Sequence, residues 1–152
     1  MGVKATMFRG NHPARVDDKG RLKLPAEFKQ RLNDPNGEQF YITSKDGKVA
    51  EIHPLKEWEK FEEKLAGIPN FNPAKKKLLD RLNYYGQMTK MDDQGRVLLP
   101  QILREEAKLA GDVVVFGMQT YLEVANHESF KQNMEANPLT EEDQQMLAGF
   151  GL

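Results

Sequence analysis

One nine-residue phrase occurs twice in this chain, and any fold it adopts must house both copies. Asp17-Asp18-Lys19-Gly20-Arg21-Leu22-Lys23-Leu24-Pro25 returns 75 positions later as Asp92-Asp93-Gln94-Gly95-Arg96-Val97-Leu98-Leu99-Pro100. Both copies read Asp-Asp-x-Gly-Arg-apolar-x-Leu-Pro, with an apolar residue three places past the proline (Phe28, Leu103). Repetition at this distance implies two structural units of one design. Each unit presents an arginine in related geometry, an arrangement better suited to gripping a repetitive polymer than to transforming a small molecule.

The local chemistry of each copy is that of a β-bend. Aspartate side chains satisfy free backbone N–H groups and glycine accepts positive φ, so Asp17–Gly20 and Asp92–Gly95 are expected to be turns. In the first unit, Asn11–Val16 enters the turn as a strand. Beyond it Leu22 and Leu24 alternate with Arg21 and Lys23, which predicts a strand with one apolar and one basic face. Pro25 suits the first position of a helix over Ala26–Leu32, ended by Asn33-Asp34-Pro35-Asn36-Gly37. Gln39–Thr43 and Val49–Ile52 flank Lys45-Asp46-Gly47 as a hairpin, so the unit reads β-β-α-β-β.

Residues 54–83 are expected to be linking helices. One runs from about Pro54 to Ala66 with Leu55, Trp58, Phe61 and Leu65 inward and Gly67 closing it, and a second is capped by Asn72-Pro73. The second unit, residues 84–126, repeats the order, with a helix from Pro100 that stops at Gly111. Residues 127–152 form a last helix over Glu128–Ala136, with Phe130 in the place of Trp58, and an acidic tail in which Thr140 caps a short helix. The offset between copies falls from 75 at the motif to 72 at the final helix, which predicts a longer Lys45–Lys48 loop in the first copy. The first unit spans residues 7–53, and the whole is α+β.

The formal net charge of −1 hides an asymmetry. Residues 1–31 carry eight Lys/Arg against three acids, whereas residues 101–152 carry three against nine. Such polarity suggests a basic face for an anionic partner and an acidic tail held away from it. With no cysteine, neither disulfides nor thiolate metal sites are available, and a reducing compartment is compatible. No apolar run approaches the roughly 18 residues of a membrane span, and no signal-peptide core is evident, so the expected home is the cytoplasm.

Two roles are open to Arg21 and Arg96. Either could be an internal partner of Asp17 or Asp92, locking its own hairpin. Alternatively, each could donate two parallel hydrogen bonds to guanine O6 and N7 in the major groove of double-stranded DNA, with Lys19 and backbone amides holding phosphates. In the second reading the aspartates and glycines brace the arginines. Other chemistry finds little support. His12, His53 and His127 have no partner at ligand spacing and are expected to face solvent or cap helices. The four aspartates each sit beside a cation, which weakens a magnesium-dependent enzyme. No nucleophilic triad, P-loop or dinucleotide fingerprint is present. Lys75-Lys76-Lys77 is expected to be a solvated helix face. No catalytic residue, metal or cofactor is therefore expected, and a protein-interaction module with secondary DNA contact is the rival reading.

Together, Met7-Phe8-Arg9-Gly10, the doubled Asp-x-x-x-Arg motif, the Gly-Arg-apolar-x-x-Pro continuations, Pro54-Leu55-x-x-Trp58 and Asn72-Pro73 resemble the MraZ family of bacterial regulators. The resemblance covers about Met7 to Asn137. It implies two pseudo-symmetric AbrB-like units interleaved through swapped hairpins into a small barrel with flanking helices. It also implies a homo-oligomeric ring, octameric or larger, that associates with the nucleoid. Such a ring would bind short direct repeats in the promoter of the division and cell-wall gene cluster, usually as a repressor. Carried onto this chain, the family's DNA contacts fall on Lys19, Arg21 and Arg96, with Asp17 and Asp92 as the motif acids. Gln94 stands where a lysine would mirror Lys19, so the second tip is expected to hold phosphate less tightly.

Overall fold

The computed structural model describes residues 7–32 and 38–152, so the expected helix terminator at residues 33–37 lies outside the described residues. The first unit contributes β1 (Asn11–Val16), β2 (Arg21–Lys23), α1 (Ala26–Lys29), β3 (Gln39–Thr43) and β4 (Ala50–Pro54). Two connecting helices follow, α2 (Leu55–Ala66) and α3 (Pro73–Tyr84). The second unit contributes β5 (Gln87–Lys90), β6 (Arg96–Leu98), α4 (Gln101–Glu106), β7 (Gly111–Gly117) and β8 (Leu122–Ala125). Helices α5 (His127–Ala136) and α6 (Glu141–Ala148) close the chain.

The eight strands form one antiparallel sheet in the order β5-β3-β4-β8-β7-β1-β2-β6, nearly closed into a barrel by the approach of β5 to β6. Neither unit is self-contained. β1 pairs with β7 and β5 with β3, so the leading strand of each unit is held by the other. β2 pairs with β6 and β4 with β8 across the pseudo-twofold axis. This is the swapped-hairpin barrel. Its shared core takes matching residues from both units: Leu22 and Val97, Leu24 and Leu99, Phe28 and Leu103 are all buried. Short strands with one apolar face bury too little surface alone, and interleaving removes most of their free edges.

Several sequence expectations need correction. The helix after Pro25 is a single turn, Ala26–Lys29, with Leu32 buried in the turns that follow, and α4 ends at Glu106, well before Gly111. Pro25, Pro54 and Pro100 each occupy the position before the helix, with extended ψ between 136° and 139°, so they aim the chain without joining the helical ladder. Gly67 closes α2 in right-handed geometry at φ −74°. Asn72 behaves as expected: its side chain accepts from the amides of Ala74 and Lys75, and Pro73 begins α3.

The length difference between copies also divides differently. The Ile42–Ile52 pair of β3–β4 corresponds to Val115–Val124 of β7–β8, an offset of 73 on one strand and 72 on the other. The β3–β4 loop is therefore only one residue longer than the β7–β8 loop. The other two residues lie between the short helix and β3, where no local signal marks them.

Candidate nucleic-acid interface

Each doubled phrase builds the same small structure. Asp17 Oδ1 accepts from the backbone amides of Lys19 (3.0 Å) and Arg21 (2.9 Å), while its Oδ2 takes Arg21 Nε at 2.8 Å. Asp92 Oδ1 accepts from the amides of Gln94 and Arg96, both at 2.9 Å, and its Oδ2 takes Arg96 Nε at 2.8 Å. The Gly20 and Gly95 amides return to the Asp17 and Asp92 carbonyls at 3.0 Å, with φ of +84° and +76°. That left-handed conformation is why glycine stands there. Both aspartate carboxyls are held below their ordinary range. The Arg21 or Arg96 backbone amide is the main cause, opposed by partial burial and aided by the guanidinium.

The arginines are thus both braced and partly covered. Side-chain exposure is 32% for Arg21 and 24% for Arg96. The aspartate engages the Nε edge, so the fork of terminal nitrogens, the part that matches guanine O6 and N7, is not the part used in this pair. Each carboxylate thus holds its arginine by the Nε edge and ties it to its own bend.

The β2–β6 pairing brings the two tips together. Arg21 lies opposite Leu98, Leu22 opposite Val97 and Lys23 opposite Arg96. Leu22 and Val97 point into the barrel, so the outward face of this two-stranded ribbon carries Arg21, Lys23, Arg96 and Leu98. Lys19 and Gln94 are exposed at the bends. Lys23 belongs to this cationic face although the motif does not single it out; its parity with Arg21 along the strand is the signal. The two ends are unequal. Lys19 and Lys23 of the first copy are matched by Gln94 and Leu98 in the second; across the ribbon Lys23 stands opposite Arg96, whereas Leu98 stands opposite Arg21.

The remaining candidates fall elsewhere. Asp17 and Asp92 are committed to their own turns, and among the described residues no group of three or more His, Asp or Glu could hold a metal ion. His53 does not face solvent or cap a helix. Its side chain is 12% exposed, stacked on Tyr121 at 4.4 Å and against Trp58 at 4.8 Å, with Nε2 2.8 Å from Glu51 Oε1. His12 contacts Glu27 Oε2 at 3.2 Å and meets the Phe28 ring edge-on. Lys75 is not solvated either: 7% exposed, it donates to the Ile68 carbonyl and Asn70 Oδ1, tying the linker onto α3. Trp58 is a core residue, packed with Leu65 and Leu82 and stacked on Tyr41. Phe130 is half-buried against Phe116. Among the described residues no helix is long and apolar enough to cross a membrane.

A doubled, swapped-hairpin barrel with paired Asp-x-x-x-Arg bends defines the class of this protein. Comparison with known sequences gives the family. The family profile described as "MraZ protein, putative antitoxin-like" matches residues 7–81 and 86–149, and the chain belongs to the MraZ family. It is 77% identical over 146 residues to the transcriptional regulator MraZ of Acidobacterium capsulatum, spanning 96% of this chain and all of that protein. The protein of the same name from Koribacter versatilis is 51% identical over 147 residues, and that of Heliobacterium modesticaldum 36% over 148; each alignment covers 96% of this chain and the whole relative.

Proposed function

We propose that this protein is a sequence-specific, DNA-binding transcription regulator, without enzymatic activity, that reads short direct repeats upstream of the division and cell-wall genes and represses them. The single observation that supports this reading best is the β2–β6 ribbon, whose outward face holds Arg21, Lys23 and Arg96 with both arginine shafts fixed by Asp17 and Asp92. A two-stranded ribbon fits the B-DNA major groove, and pre-oriented guanidinium groups lose little freedom on binding. Each good arginine–guanine pair would contribute roughly 1–3 kcal/mol of discrimination. Lys19 and the bend amides would set register on phosphate, with Gln94 a weaker counterpart.

One ribbon reads few bases. Assembly into a ring would place neighbouring ribbons on successive repeats, and linked binding can raise avidity by roughly 10²–10⁴. A docking role for the C-terminal segment supports assembly. α6 begins with a Thr140–Asp143 capping box, yet it buries none of its residues and leaves Met146, Leu147 and the following Phe150 exposed. A helix this short has little stability without a packed face.

The test is binding of the protein to duplex DNA carrying one, two or three of the direct repeats upstream of its own coding sequence, beside a scrambled duplex. The reading predicts a steep gain with repeat number and loss of specific binding in Arg21→Ala while the assembly stays intact by light scattering. Equal affinity for scrambled DNA, or normal repeat binding by Arg21→Ala, would overturn it.

A further inference from the structure

Two cations outside the doubled phrase stand directly on the tips, and each comes from the other unit. Arg104 of α4 covers Gly20: a methyl group at that glycine would run into the Arg104 guanidinium. Lys29 at the end of α1 covers Gly95, where the same methyl would lie 3.1 Å from Lys29 Nζ. The two are equivalent under the repeat, four places beyond Pro25 and Pro100 respectively. Arg104 is anchored by Nε donating to the Leu99 carbonyl at 3.0 Å, and Leu99 itself donates to the Gly20 carbonyl. Lys29 is partly exposed. Neither takes part in the ion pairs formed among the described residues.

We infer that Lys29 and Arg104 are phosphate contacts of the DNA interface, each completing the recognition tip of the opposite unit. The inference rests on the DNA-binding reading above and extends it from the bend to the short helices. Its physical basis is placement. Backbone phosphates flank the groove that a ribbon enters, so cations that position a reader belong beside the tip, whereas base-reading side chains belong on it. A positive charge lying against each glycine bend meets that requirement. It also accounts for the second tip. Gln94 supplies no charge, yet Lys29 brings an ammonium group to the same bend, so the two tips are less unequal than their motif residues indicate. Because the cation crosses between units, each tip is complete only when the hairpins are swapped.

The experiment measures affinity for the duplex lying upstream of the protein's own coding sequence, as a function of salt, for the wild type and four variants: Lys29→Gln, Arg104→Gln, Arg104→Lys and Lys29→Gln/Gln94→Lys. Loss of one phosphate contact lowers the log–log salt slope by about 0.9 per protomer engaged. Lys29→Gln and Arg104→Gln should each show that loss, with the ranking of correct and mutated repeats unchanged. Arg104→Lys should keep the slope, and Gln94→Lys should restore it in the Lys29→Gln background. Thermal melting separates a folding defect in Arg104→Gln, which loses the Leu99 hydrogen bond; if that variant unfolds, the Lys29 pair of variants decides. Unchanged slopes in the neutral variants, with wild-type binding intact, would overturn this inference and leave the DNA-binding reading standing. A wild type that fails to prefer its repeats would overturn both.

Discussion

Leu24 donates its backbone N–H to the carbonyl of Gly95, 3.0 Å away, tying the strand of the first motif to the bend of the second. Leu99 does the same to Gly20 at the same distance. These reciprocal bonds make the two bends one rigid object. A side chain on one bend therefore inherits its position from the other unit.

The bend glycines should not tolerate alanine equally. Left-handed backbone costs a non-glycine residue about 1–2 kcal/mol at both positions. At Gly20 the new methyl also meets Arg104, which is held by the Leu99 carbonyl, whereas at Gly95 it meets the movable end of Lys29. Thermal unfolding should show Gly20→Ala melting below Gly95→Ala, with both below wild type. Indistinguishable melting temperatures would contradict the described seating of Arg104.

Asp17 organises its bend through hydrogen bonds that asparagine can partly copy. In Asp17→Asn an amide oxygen can still accept from the Lys19 and Arg21 amides, so their hydrogen-exchange protection should persist, while Asp17→Ala should lose it. Asp17→Asn should nevertheless weaken DNA binding, because the Arg21 guanidinium loses its charged partner.

Acid sensitivity of the bends follows from the same contacts. The Asp17 and Asp92 carboxyls lie below their ordinary value of 3.8, chiefly because the Arg21 and Arg96 amides donate to them. For a depressed carboxyl the stabilisation is complete above the unfolded value and disappears as pH falls through the folded one. NMR titration of the side-chain carboxyl carbons should therefore give midpoints under 3.8 for both residues. A midpoint at or above that value in either would show that its bend opens in solution.

A cross-strand acidic pair opposes folding elsewhere in the barrel. Glu51 and Glu123 lie directly opposite on β4 and β8. Glu51 has Lys45 and His53 beside it, whereas the Glu123 carboxyl is pushed up by burial and by Glu51. A raised carboxyl contributes stability that is complete below the unfolded value and lost as pH rises through the folded one, so ionised Glu123 is a cost at neutral pH. Glu123→Gln should raise stability at pH 7 by roughly 0.2–1 kcal/mol, the range for relieving a like-charge cross-strand pair. The gain should vanish in acid. Melting curves at the two pH values check both parts, and a gain independent of pH would point to packing instead.

Leu22 and Leu98 sit one strand apart with opposite fates. Leu22 is fully buried, so Leu22→Ala should cost about 2–5 kcal/mol in urea unfolding. Leu98 is half exposed on the ribbon's outer face, where the first copy has Lys23. Leu98→Lys should change stability by less than about 0.5 kcal/mol while steepening the salt dependence of DNA binding. A stability loss comparable to that of Leu22→Ala would mean the outward face is covered.

What the sequence determined by itself is everything that neighbours along the chain can enforce. Asp17 and Asp92 reach amides two and four residues away, Gly20 and Gly95 accept the φ their bends need, and Asn72 and Thr140 cap the helices they precede; short-range hydrogen bonding suffices for each. Alternation alone placed Leu22 and Leu24 inward, whereas the apolar run Val97-Leu98-Leu99 carries no such signal. The tertiary structure decided what depends on segments distant in sequence: the division of the length difference between copies, the burial of Lys75 under the linker and of His53 between Trp58 and Tyr121, and above all the placement of Lys29 and Arg104 on each other's bends. The repeat shows that positions 29 and 104 are both basic, but which bend each cation covers is set by which strands pair. That choice is made by the shared core, because neither unit can bury its apolar face without the other.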